Sequence, residues 1–161
     1  MRRREAGGRE TPPGFAARDP DKKSLASFRD FCAQVGITPP GGRFFAEDGR
    51  LFLLPPGLPD LRGLQVFRAG LFLGECRPGG FKPAAALALA LEKQEAARQL
   101  DFAAGSSELL RYLKGETLLL DEGQAPGKGW ILVKTGGFPL GWAKRLGRLI
   151  RNEYPPSWRI K

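Results

Sequence analysis

Between Gly129 and Arg159 the chain interleaves glycines, aromatics and cations in the order GWILVKTGGFPLGWAKRLGRLIRNEYPPSWR. Lysine and arginine hold phosphates, aromatic rings offer stacking faces, and glycine lets a backbone approach a ligand closely. Combined, these are the parts of a nucleic-acid-binding surface. Lys134, Lys144, Arg145, Arg148 and Arg151 are the candidate phosphate contacts, and Asn152 a candidate reader of base or sugar. Trp142 and Tyr154 are candidate stacking faces, and Gly70 and Gly141 candidate points of close backbone approach. Arg68 is a weaker candidate outside the segment. Trp130 and Trp142 are equally open to a core role.

Other chemistries find little to work with. The chain has no histidine, which excludes a Ser-His-Asp triad, a Cys-His pair and an HExxH zinc site. Two cysteines, Cys32 and Cys76, close neither a Cys₄ nor a mixed zinc site, so no metal is expected; buried free thiols are the expectation, with one disulfide open but not indicated. The acidic pairs Glu47-Asp48 and Asp121-Glu122 fall in turns, Glu92 and Glu95 on a helix surface, and Ser106-Ser107 reads as a helix cap. Glu75 to Lys82 (ECRPGGFK) is a glycine-rich turn of the kind that cradles a phosphate or cofactor carboxylate at a helix N-terminus, but it matches neither GxGxxG nor GxxxxGK[ST] and reads as a loop entering a helix. No catalytic constellation emerges.

These residues need elements to position them. Ser24 is the expected N-cap of a helix whose apolar stripe is Leu25, Phe28, Phe31, Cys32 and Val35, with Gly36 as the stop. Asp48-Gly49 predicts a hairpin between two apolar runs, and Leu64 to Gly74 a strand interrupted by glycine. Pro83 to Leu100 is the one strong helix, rich in Ala and Leu. A short helix over Ser107 to Leu113 precedes a strand over Glu116 to Leu120. A hairpin turns at Gly136-Gly137, a last strand covers Leu146 to Arg151, and the Pro-Pro tail is extended. Five or six strands with two or three helices predict an α+β fold curled into a small barrel.

The charge is concentrated. The chain of 161 residues carries 26 Lys+Arg against 17 Asp+Glu, a formal net charge of +9. Residues 127–161 contribute +7 of this, residues 1–23 contribute +3, and the body between is nearly neutral. A basic block of this kind marks contact with phosphates, whose counterions are released on binding. Residues 1–23 are rich in glycine, proline and charge and read as a flexible basic linker. No stretch has the pattern of a signal peptide or the length of a membrane span, so a soluble cytoplasmic protein is expected.

The final motifs carry a family resemblance. GFPLGWAK (Gly137 to Lys144), a basic strand, and RNEYPPSWR (Arg151 to Arg159) closely resemble the end of the RsmF-like rRNA (cytosine-5) methyltransferases of the Nol/Nop/Sun group. Members carry a GxPLGWGK stretch and a KNxYPKGLR-like ending in a PUA-like RNA-binding domain. ELLRYLKGETL (Glu108 to Leu118) resembles that domain's start, and Leu64 to Leu91 the segment preceding it. The resemblance covers roughly residues 25–159. Ala143 stands where the family has glycine, Arg151 where it has lysine, and Pro156 where it has lysine. The family's cofactor loop and its Pro-Cys and Thr-Cys cysteines have no counterpart, since Cys32 lies in Phe-Cys-Ala and Cys76 in Glu-Cys-Arg.

The resemblance implies a PUA-like small barrel or curled mixed sheet with flanking helices. It divides the chain into a linker (1–23), a helix-plus-sheet segment (24–105) and a PUA-like segment (106–161), the last two packed as one body. It implies a non-catalytic module, without cofactor and monomeric, that positions ribosomal RNA for a methyltransferase catalytic domain in cis or trans. Two other classes stay open: a stand-alone PUA-like protein binding a nucleoside or small ligand, and a protein-docking domain.

Overall fold

A computed structural model describes residues 18–57, 69–91, 96–119 and 127–161. Arg68, the run from Leu64 to Arg68, Glu92, Glu95, Asp121 and Glu122 lie outside these residues, as do residues 1–17 of the expected linker. From Arg18 onward that linker is built into the fold. Arg18 bridges Ala46, and Asp19 pairs with Arg43 at 3.2 Å. Asp21, not Ser24, caps the first helix: its carboxylate accepts the Ser24 N–H at 2.6 Å, a bond that holds its pKa down.

Helix α1 (Lys22–Val35) ends at Gly36, whose φ of 74° is the left-handed cap the sequence predicts. Strands β1 (Arg43–Glu47), β2 (Arg50–Leu54), β3 (Leu71–Arg77) and β4 (Gly80–Pro83) form an antiparallel meander. The predicted hairpin turns at Asp48-Gly49, both with positive φ, the geometry of a type I′ turn. ECRPGGFK corrects its reading. It is a second hairpin, in which Arg77 pairs with Gly80 across Pro78-Gly79, and not a loop opening a helix.

The predicted long helix is also corrected. Helix α2 spans only Ala85–Ala90; Pro83 before it is paired in β4, and Gln99 and Leu100, the expected helix end, open strand β5 (Gln99–Phe102). The reason is tertiary. Strand β5 pairs in parallel with β7 (Gly129–Thr135), a long-range ladder that local helix propensity cannot register.

The second sheet has the order β5-β7-β8-β9-β6, with β6 Leu118–Leu119, β8 Phe138–Leu146 and β9 Leu149–Asn152. Helix α3 (Ser107–Leu113), capped by the Ser106 side chain, has the predicted bounds. The predicted strand over 146–151 is instead a hairpin turning at Gly147-Arg148, and the tail holds a 3-10 turn at Pro156–Trp158. The class is α+β, and the mixed sheet curls as a half-barrel in the PUA-like manner.

Sheet two is buried on both faces at its centre. One face gives Trp130, Leu132 and Trp142 to a core shared with α1, α2 and sheet one (Phe28, Phe31, Leu51, Leu73, Leu87). The other gives Ile131, Val133, Ala143 and Ile150 to a core with Tyr112 and Phe102. This is why β7 reads as an unbroken apolar run.

Candidate nucleic-acid interface

Strand register assembles the site. Trp130 of β7 lies opposite Lys144 of β8, and Lys144 opposite Arg151 of β9, so the three share one row and one face of sheet two. The Lys144 ammonium sits 5.5 Å from the Trp130 ring centroid, a cation–π contact. Two residues further along, Leu146, Leu149 and Leu119 form a second, exposed row on the same face. The face that packs on α1 and sheet one thus runs out into solvent as a cationic row and then a leucine row.

Other elements rise beside the cationic row. A cleft of about 480 Å³ is lined by Lys144, Arg151 and Trp130 from sheet two, Arg77 and Lys82 from the β3–β4 hairpin, and Asp30 and Gln34 from α1. Glu153 links its two cationic walls: its carboxylate pairs with Arg151 at 2.5 Å and lies 3.8 Å from the Lys82 ammonium. The other two basic residues diverge. Arg145 pairs with Ile150 on the opposite face and its Nε donates to Gly147 O, while the exposed Arg148 sits in the hairpin turn.

Several expected site residues have structural roles instead. Lys134 is buried, 5% exposed, with its ammonium 3.4 Å from Gln99 Oε1, because both faces of β7 are covered there. It is not a surface phosphate contact. Trp142 is 1% exposed, packs edge-on against Phe31 and donates its indole N–H to Ala84 O at 2.9 Å. It is core, not a stacking face. Asn152 is committed to the fold: its amide donates to the carbonyls of Tyr112 and Glu116, and its oxygen accepts the Tyr154 N–H.

Tyr154 is half-buried with its ring against Tyr112 and Trp158, and lines a separate cleft of about 350 Å³. The two glycines owe their identity to packing. A Cβ at Gly141 would lie 2.8 Å from the Tyr112 hydroxyl oxygen, and one at Gly70 2.5 Å from Leu53 O. Among the described candidates, only Lys144 and Arg151 meet in the cleft. Arg77, Lys82, Asp30 and Gln34 were missed. Their only signal was two cations bracketing Pro-Gly-Gly.

The thiols are free, Cys32 buried and Cys76 half-buried, and burial raises Cys32 from 9.0 to about 12. Among the described residues no helix is long and apolar enough to cross a membrane, and no cluster of His, Cys, Asp or Glu could hold a metal.

Comparison with known proteins separates the chain into two matched stretches. Residues 30–91 match the family model of the RsmF rRNA methyltransferase first C-terminal domain, and residues 99–160 that of the methyltransferase RsmF PUA domain. Similar proteins include the ribosomal RNA small subunit methyltransferase F of Shewanella oneidensis, 31% identical over 135 residues, covering 83% of this chain and 28% of the relative. The protein of the same name in Shewanella amazonensis is 28% identical over 157 residues, 89% of this chain and 31% of the relative. The chain thus spans less than a third of the length of these relatives.

Proposed function

The chain belongs to the RsmF family of rRNA methyltransferases, carrying its two C-terminal domain types, and from that premise we propose that it is an RNA-binding module. It recognises ribosomal RNA and positions it for an S-adenosylmethionine-dependent cytosine-5 methyltransferase catalytic domain. The observation that carries this reading is the row in which two cations, Lys144 and Arg151, stand side by side where sheet two emerges from the core, with Lys144 lying over the buried Trp130 ring. Phosphates hold to such cations through counterion release, so affinity falls with salt. Arg145 and Arg148, on the other face and in the turn, widen the positive field without joining the row. The module itself is non-catalytic and takes no cofactor, which belongs with the catalytic part.

The test is a fluorescence titration of labelled rRNA fragments at several salt concentrations. Binding should weaken linearly in log K against log salt, and absent or salt-insensitive binding would sink the reading.

The exposed row Leu119–Leu149–Leu146 favours a second reading, docking on a protein surface. In that case Leu149→Ser, which adds no charge, should release a catalytic domain supplied in trans while leaving RNA affinity unchanged.

A further inference from the structure

The β3–β4 hairpin belongs to the first of the two matched domains, yet it forms a wall of the cleft whose other wall is the PUA sheet. Arg77 and Lys82 therefore face Lys144 and Arg151 across a gap that neither domain encloses alone. Glu153 sets this spacing through its contacts to Lys82 and Arg151, and Glu75 holds the Arg77 guanidinium at 2.5 Å.

The third wall has a different character. Ser27, Asp30 and Gln34 fall at i, i+3 and i+7 on α1, one stripe of hydrogen-bonding side chains aimed into the cleft. Gly79 and Gly80 have open space where a Cβ would stand, so the hairpin tip presents bare backbone.

We propose that this interdomain cleft is a subsite for single-stranded RNA, in which Arg77, Lys82, Lys144 and Arg151 hold phosphates while Ser27, Asp30 and Gln34 hydrogen-bond the ribose and base. A ligand that is anionic and also donates hydrogen bonds suits this lining, because Asp30 shares the cleft with four cations, three of which are already paired with Glu75 or Glu153. A ribonucleotide combines phosphate with a 2′-hydroxyl and base amino groups. The concavity, about 480 Å³, suits an unstacked nucleotide and not a rod-shaped duplex. This inference rests on the RNA-binding reading above and adds the first domain to it.

The experiment compares the full chain with Arg77→Gln/Lys82→Gln and with Lys144→Gln/Arg151→Gln, using a fluorescein-labelled single-stranded RNA octamer, its DNA counterpart and its RNA duplex. Both double variants should lose about tenfold in affinity for the single strand and shallow the salt slope by about 1.4, near 0.7 for each phosphate contact removed. Asp30→Asn should narrow the preference for RNA over DNA.

Acetylation footprinting of the unaltered chain keeps the test independent of variant folding. RNA should protect Lys82 and Lys144 but not Lys114, which is exposed after α3. If Arg77→Gln/Lys82→Gln binds as the parent while Lys144→Gln/Arg151→Gln fails, the cleft proposal is overturned and the RNA-binding reading stands. If the parent binds no RNA, both fall. If the duplex, or an acidic peptide competitor, binds as tightly as the single strand, the subsite is misassigned.

Discussion

Trp142→Phe separates a core tryptophan from a stacking one. The indole joins sheet two to the start of α2 through its hydrogen bond to Ala84 O, and it meets Phe31 at 5.2 Å between ring centroids. Phenylalanine keeps a ring but loses the N–H, worth about 1 kcal/mol net, near the middle of the usual range. Ala84 O still accepts the Leu87 N–H at 3.1 Å, so it is not orphaned. The smaller ring leaves about 40 Å³ unfilled, which at roughly 24 cal/mol per Å³ adds about 1 kcal/mol. Weaker edge contact with Phe31 brings the total to about 2–3 kcal/mol. In thermal unfolding this is a drop in Tm of about 5–10 °C for a domain of this size. RNA affinity, measured well below that transition, should stay within about twofold, since the side chain is only 1% exposed. A variant with unchanged Tm and a tenfold loss in RNA affinity would refute the reasoning and restore Trp142 as a stacking face.

Three further substitutions and one reactivity comparison probe the fold around the site. Tyr112→Phe should cost about 1 kcal/mol in urea unfolding, because the Trp142 carbonyl keeps the Glu153 N–H when the Tyr112 hydroxyl is removed. Gly141→Ala should cost about 1–3 kcal/mol through its clash with that hydroxyl, and less than that when combined with Tyr112→Phe. Cys32 should resist thiol reagents in the folded chain while the half-buried Cys76 reacts. Because the folded state keeps the Cys32 proton to about pH 12 while the unfolded thiol loses it near its ordinary 9.0, stability should fall as pH rises from 9 towards 12, and Cys32→Ala should flatten that decline in an alkaline unfolding series.

Local chemistry was legible at several turns and caps, but not at the Asp21 cap or at the Pro78-Gly79 and Gly147-Arg148 turns. Asp48-Gly49, Gly136-Gly137, Gly36 and Ser106 each act as their residue types require. What the sequence concealed was set by distant pairing. Gln99 and Leu100 end a helix-forming run in composition, but in strand β5 (Gln99–Phe102) they join β7 some thirty residues later. The site follows the same division. A basic, aromatic-rich segment was readable, whereas the sorting of its cations was not. Strand alternation sends Lys144 and Arg151 to one face and Arg145 to the other, and burial of both β7 faces removes Lys134. Arg77 and Lys82 join the site only because two sheets share one core.

The most direct test of the account is the salt slope of RNA binding for the parent chain and for Lys144→Gln/Arg151→Gln. The row they form with Trp130 is the proposed phosphate contact, so the double variant should shallow the slope of log K against log salt by about 1.4 while its thermal unfolding stays close to the parent's. Equal slopes for the two proteins would contradict the account.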